Sequence, residues 1–460
     1  MSHVFYAVLY AALVVATLDT AVRGRPTLIY AAALMLPMIQ LLPSPVAVIG
    51  APANLIVLGL LFGQWTLRGK HPAQHVRLPL RVPIAIFVAA LVSGVAIRGI
   101  REQMGLWFVV PFGDVVQTAW NWLVPLLMYA LTFRFVGDTK TAENTIRFCQ
   151  VSVGMECAIG VLDRLRGMGR ATAQLGEPNR AGAYFAGASG FFLAWFLMAR
   201  GPKKIAFFVA WLLSVGALLA TLSRGGLLAG ALANAFVLVV FFVRARGHGA
   251  TKALVVALVV VAGLNLGLLL PERVKERVMK TFGGEEPVEG QEIELDGSSA
   301  SRLAYWATAW QLFKAEPIGH GTLSFPQRLQ EVHGGQAKQA HNVFLQYAVE
   351  NGIQGIFALV LLTVAVLRHL RKTNSLMPEG HGNALLLSLT AWWIAHVIAH
   401  NFTNSFFTTH VIGQFWIMLA CVPGTPARAA RDTTTRTSDP ERSPRESRPR
   451  SRIASSGAAR

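Results

Sequence analysis

Charge is scarce in this chain, and acid is scarcer than base. Only 14% of the 460 residues are charged, with 24 Asp and Glu against 42 Lys and Arg. A soluble domain carries about 25% charged residues. With 53% of its residues hydrophobic, the chain is excluded from that class. Cysteine is almost missing. Cys149, Cys157 and Cys421 all lie in apolar runs, and the spacing of the first two fits no metal site. They read as buried, unreactive thiols, which excludes a disulfide framework. No two of His320, His333, His341, His400 and His410 stand at metal-ligand spacing with carboxylates, and there is no Asp-x-Asp motif. Walker and dinucleotide motifs are lacking too, so nothing in the chain calls for a metal or any other cofactor. The first apolar run, Val4 to Val22, ends in no A-x-A-like site, which argues against a cleaved signal peptide.

What the chain has is apolar runs of about 17–25 residues, each long enough to cross a roughly 30 Å hydrocarbon layer. The expected fold is all-α, a polytopic membrane helix bundle of about 12 transmembrane helices with one large outer loop. Spans are expected near 4–22, 28–42, 46–66, 80–98, 115–136, 146–162, 181–199, 204–222, 225–243, 252–270, 343–367, 383–400 and 405–423. The count is 13, or 12 if one short early run is re-entrant or merges with its neighbour. Residues 1–424 form one membrane domain, with the large loop at 271–341 inside it. Residues 425–460, rich in Arg, Ser, Pro and Thr, form a disordered basic tail.

The net charge of +18 gathers in short connections such as 200–204, 244–252 and 368–372. The positive-inside rule places these in the cytoplasm, and the tail with them. Nucleic acid is not an expected partner; membrane lipid is, and the tail can touch its anionic headgroups. Segments near 176–180, 223–226, 271–341 and 400–410 then share the outer face.

Within the outer loop, Pro271 starts a short helix over Glu272–Lys280, followed by the acidic, Gly-rich GGEEPVEGQEIELDGSS, expected to be mobile. Ser298, Ser299 or Ser301 is expected to cap a second helix, RLAYWATAWQLFKAE. Leu303, Trp306, Ala307 and Trp310 fall on one face of it, suited to a membrane–water interface. Pro317 stops that helix, and GHGTLSF makes a turn.

All the candidate site residues fall on the outer face. His341 and Asn342 open HNVFLQYAVENGIQG at the mouth of a span, with Gly352 and Gly355 two to three turns further in. A histidine there has the near-neutral pKa a general base needs, although a lone histidine is often structural, and His320, His333, His400 and His410 compete. Arg224 sits in TLSRGGLLAG between two apolar runs. It can grip a phosphate in a bidentate way, or simply snorkel to the interface. Asn179 and Arg180 begin a span in GEPNRAGAYF, where Asn179 can cap the helix and the helix start offers an anion site. Arg302 opens the amphipathic helix, an unfavourable place for a cation near the dipole, which favours a ligand role over a solvated charge.

TLSRGGLLAG, SRLAYWATAWQLFKAEPIGHGTLSF and HNVFLQYAVENGIQG together resemble the O-antigen ligase and polymerase superfamily of bacterial inner-membrane glycosyltransferases, over roughly residues 176–365. The ligase pattern H-N/S/Q, nine residues, G, two residues, G/T/Y fits His341, Asn342, Gly352 and Gly355 without a gap. The resemblance implies a glycan donor on undecaprenyl pyrophosphate, a lipid A–core sugar hydroxyl as acceptor, and an active site facing the periplasm. Family arginines carry over to Arg224 and Arg302 and the family histidine to His341; Asn342, within the ligase pattern, can orient the imidazole or a sugar hydroxyl, and Arg180 is added from the sequence itself. His341 is then the base and the arginines bind pyrophosphate, in a metal-independent, inverting transfer. Rival readings are an O-antigen polymerase, a protein O-oligosaccharyltransferase, and, from another class, a transporter. A transporter predicts ionisable groups near the membrane midplane rather than at one face.

Overall fold

The computed structural model describes residues 3–41, 52–66, 78–104, 111–244, 297–333, 339–374 and 381–422. Among these residues all regular structure is helical. The helices are α1 (His3–Arg23), α2 (Thr27–Met35, continued by a 3-10 stretch, Leu36–Leu41), α3 (Pro52–Thr66), α4 (Arg81–Gln103) and α5 (Phe112–Phe135). They continue as α6 (Thr139–Leu165), α7 (Pro178–Met198), α8 (Pro202–Thr221), α9 (Arg224–Arg244) and α10 (Gly297–Ala315). The last are α11 (Phe325–His333), α12 (Val343–Asn374), α13 (His381–Ala399) and α14 (Thr409–Cys421). Each expected span with described residues lies on one of these elements. The expected span 252–270, the helix Glu272–Lys280, most of the acidic stretch and the tail 425–460 lie outside the described residues.

Among the described residues six helices are long and apolar enough to cross a membrane: α4, α6, α7, α8, α9 and α12. Shorter apolar helices at Thr27–Met38, Asn383–Ala399 and Thr409–Cys421 stand beside them. This is a multi-pass membrane protein. Ile353, Phe357, Val360 and Val364, all exposed, form a stripe along α12 of the kind that lipid covers.

Helix α7 is the hub, with 94% of its apolar window buried against α8, α9 and α13. Small residues let it serve that role, since helices in lipid associate by close packing rather than by escaping water. A Cβ on Gly182 would lie 2.6 Å from Ser223 Cβ, and one on Gly187 would lie 2.4 Å from the Trp392 ring. Opposite, a Cβ on Gly226 of α9 would stand 2.9 Å from the Gly182 backbone.

These contacts define two ends of the bundle. Helices α4, α6, α8 and α13 finish at one end, where α7, α9 and α12 begin. Loops tie that end together: Ala171 N donates to Ala220 O (3.0 Å), Thr322 N to Gly94 O (3.1 Å) and Val343 N to His400 O (3.0 Å).

Two details depart from the sequence reading. Helix α10 starts at Gly297, ahead of Ser298, Ser299 and Ser301, so none of them is its cap. Arg302 therefore lies beyond the first turn, and its placement is not a strain on the helix dipole. Helix α12 is also not a simple span, because Gly352 breaks it with φ 69° and ψ −164°.

Candidate functional site

The break at Gly352 is made good by the loop that follows α10. In a kinked helix the freed N–H and C=O groups need partners, above all where no water reaches them. Here Val349 O accepts from His320 N (2.8 Å), Glu350 O from Gly321 N (2.8 Å), and Ile353 N donates to Pro317 O (2.8 Å). The fit leaves no room for a side chain: a Cβ on Gly352 would lie 2.1 Å from Ile318 O. This zipper sets the first turns of α12, and with them the segment that carries His341.

That segment is held from three sides. Trp306 Nε1 of α10 donates to Ala340 O (2.9 Å). Val343 N reaches the His400 carbonyl, and Asn342 Nδ2 makes a long bond to Asn401 Oδ1 (3.4 Å). Asn342 Oδ1 accepts from Phe344 N (3.0 Å) and Leu345 N (3.1 Å), the geometry of a helix cap. Between these anchors His341 is forced to φ +51°, a left-handed conformation that costs a non-glycine residue about 1–2 kcal/mol. Such strain persists only where its surroundings over-determine it, and it gathers at functional sites.

Arg302 is half-buried on α10, one turn before Trp306. The buried face of α10 packs Ala309 with Phe325, Leu329, Ala340 and Val349. Leu303, Ala307 and Trp310 point outward as the sequence suggests, but Trp306, expected on the same face, is half-buried and bonds inward to Ala340 O. Helix α11 was not foreseen, and it supplies part of this small core.

Arg224 is the first residue of α9, after a two-residue reversal from α8. Leu222 takes φ +53°, and Ser223 Oγ accepts from Gly226 N (3.3 Å). Gly225, beside Arg224, rests against Phe402, where a Cβ would come within 2.6 Å. Phe402 in turn meets the Trp306 ring at 6.5 Å between centroids. The half-buried Arg224 thus joins the α10 and His341 segment through a single aromatic residue.

Arg180 lies in the first turn of α7. Pro178 occupies the opening helical position and Glu177, extended at φ −138°, precedes it in the cap position. Asn179 is not the cap the sequence suggested. Its Nδ2 donates to Glu177 Oε1 (2.9 Å), and its Oδ1 accepts from Arg170 Nη2 (3.2 Å). Arg180 Nε pairs with Glu177 Oε2 at 3.2 Å. Arg170 Nε also donates to Thr221 O (2.9 Å), tying the loop before α7 to the turn that carries Arg224. Asp163, near the end of α6, has a local task. Its Oδ2 accepts from Ala173 N (2.7 Å) and Thr172 N (3.3 Å), pinning this loop onto the end of α6.

The charges meet at His341. Burial holds its imidazole below the usual histidine range, the nearby Arg302 guanidinium lowers it further, and the Glu177 carboxylate pulls the other way. The structure therefore brings His341, Asn342, Arg302, Arg180 and Arg224 to one end of the bundle. It adds Glu177 and Arg170, which sequence reasoning missed. Glu177 offered one signal, an acid immediately before a proline-initiated helix; Arg170 offered none, because its contact with Thr221 spans 51 residues. Among the described residues, no group of three or more His, Cys, Asp and Glu side chains is placed to hold a metal ion.

Comparison with known families gives one finding for this region. Residues 208–360 match the family model described as O-antigen ligase. The match runs from within α8 into α12, and so covers Arg224, Arg302, His341 and Asn342 but not Arg180. No curated protein matches the chain.

Proposed function

Proceeding from a chain that belongs to the O-antigen ligase superfamily, we propose that it is a lipopolysaccharide O-antigen ligase. It transfers a glycan from undecaprenyl pyrophosphate to a sugar hydroxyl of lipid A–core. It works at the periplasmic face of the bacterial inner membrane, and the shorter apolar helices count among its roughly 12 spans. The observation that carries this reading is a strained, half-buried histidine acted on by Arg302, at the end of a membrane bundle where Arg180 and Arg224 also stand in the opening turns of their helices.

The chemistry follows from the charges. Attack by the acceptor oxygen on the anomeric carbon breaks that carbon's bond to the pyrophosphate oxygen, which leaves with the electron pair. Arg224, Arg302 and Arg180 neutralise the departing anion, the task a divalent cation performs elsewhere, so no metal or cofactor is needed. His341 takes the hydroxyl proton as the new bond forms, help worth about 10²–10⁴ in rate. A single displacement inverts the anomeric carbon. Asn342 holds the turn that aims the imidazole.

A base must be neutral to act. Because burial and Arg302 depress the His341 pKa, the imidazole is uncharged at neutral pH. The rate should hold through neutrality and fall only when pH drops below the ordinary histidine value of about 6.5. The test is purified protein in detergent with lipid-linked donor, lipid A–core and EDTA, followed across pH for wild type and His341→Ala. Transfer to lipid A–core, with the acidic fall-off, that is lost in the variant supports the reading. Longer lipid-linked chains with no transfer to lipid A–core would make the protein a polymerase. No product of either kind would favour a transporter.

A further inference from the structure

An anion-binding site has little use for a carboxylate, yet Glu177 stands in the middle of this one. It binds Arg180 Nε (3.2 Å) and Asn179 Nδ2 (2.9 Å), and through Asn179 it is linked to Arg170. Capping does not explain it, since its side chain makes no cap bond to α7. We propose that Glu177 is a positioning residue, the counter-charge of His341: its carboxylate stabilises the imidazolium formed when His341 takes the acceptor's proton, and it holds Arg180 toward the leaving pyrophosphate. This inference rests on the ligase reading above.

The surroundings of His341 make such a counter-charge necessary. From α10, Arg302 faces the imidazole and opposes its protonation. From the loop before α7 comes Glu177, with Arg180 and Arg170 behind it. The loop after α13 contributes a buried His400, whose carbonyl receives Val343 N, and the start of α9 contributes Arg224, beyond Phe402. Of these groups Glu177 alone is acidic. In the reaction the proton leaves the acceptor hydroxyl for the imidazole, and the electron pair of the broken carbon–oxygen bond departs on pyrophosphate. His341 then becomes a half-buried cation opposed by Arg302 at the moment the negative leaving group is pulling away. The Glu177 carboxylate, held in place by Arg180 and Asn179, acts on the imidazole through its charge and favours that state.

The variant Glu177→Gln keeps the shape and removes the charge. The expected result, in the lipid-linked transfer assay, is a plateau kcat/KM about tenfold lower, with its acidic limb displaced toward lower pH by about half a pH unit or more. Glu177→Asp should restore most of the rate. A purely structural residue would lower the plateau and leave the limb in place, and that result, or no change at all, would overturn the proposal. Should Glu177→Gln aggregate on size exclusion, Glu177→Asp decides instead: its withdrawn carboxylate must move the limb the same way by less, and an unmoved limb overturns the inference. Failure of the ligase reading is a different outcome, in which wild type makes no product or His341→Ala retains full rate.

Discussion

The two ends of the bundle are built to different rules. At the end away from the site, the chain turns by ordinary means. Gly24 and Gly201 supply the positive φ angles there, and Asp138 caps α6 by accepting from Thr141 N at 2.7 Å. At the site end, Ala173, Leu222, Leu323 and His341 all take positive φ, and among the described residues these are the non-glycine positions that do so. Each costs about 1–3 kcal/mol that the surrounding contacts must offset. Strain at one end and its absence at the other shows where the fold gives up stability to place side chains.

The sharpest test of that contrast is a pair of glycines in the same backbone region. Gly201 has φ 63° and ψ −154°, while Gly352 has φ 69° and ψ −164°. A Cβ on Gly201 meets nothing within 4 Å, but on Gly352 it meets the Ile318 carbonyl. Gly201→Ala should therefore cost backbone strain alone, about 1–3 kcal/mol. Gly352→Ala should add a clash with backbone and the loss of the loop zipper, for a total above about 3 kcal/mol. Thermal unfolding in detergent compares them directly. Equal melting temperatures would mean that the zipper between Pro317–Gly321 and α12 contributes nothing.

These glycines also mark how far the sequence could be read. Long apolar runs announce helices by composition, so every described span was legible. The pattern linking His341, Asn342, Gly352 and Gly355 was legible as a motif, but its physical meaning was not. Gly352 is required because the Ile318 carbonyl lies against it, and nothing local in either segment encodes that approach. The start of α10 was misplaced for a related reason, since serines favour caps only on average and tertiary contacts decide. Arg180, added from the sequence alone, pairs with Glu177, and only the folded chain sets that acid's charge to act on His341.

A second contrast concerns the cations. Arg302 faces His341, whereas Arg371, in the last turn of α12, is exposed at the far end. Losing a charge-assisted contact to the leaving group costs about 1.5–3 kcal/mol, so Arg302→Ala should slow transfer roughly tenfold to a hundredfold. Arg371→Ala should leave the rate within about twofold, because an exposed cation far from the reacting atoms contributes only a screened field. A comparable loss in both variants would show that the arginines act through folding or membrane insertion and not through the donor.

The smallest effect separates capping from chemistry. Asn342 and Asp138 each cap a helix, the first through Phe344 N and Leu345 N, the second through Thr141 N. Replacing either with alanine should cost about 1 kcal/mol of stability. Their consequences for transfer should diverge. Asp138→Ala removes a cap at the far end and leaves the rate unchanged. Asn342→Ala loosens the turn that holds His341 at φ +51°, and the imidazole loses its aim while keeping its proton affinity. The rate should fall with its pH profile unmoved, the reverse of the behaviour expected for Glu177→Gln. Asn342→Asp, which can still accept both backbone bonds, should recover stability, and it restores the rate only to the extent that the residue acts as a cap. If Asn342→Asp is stable and remains slow, the amide nitrogen of Asn342 itself meets the substrate.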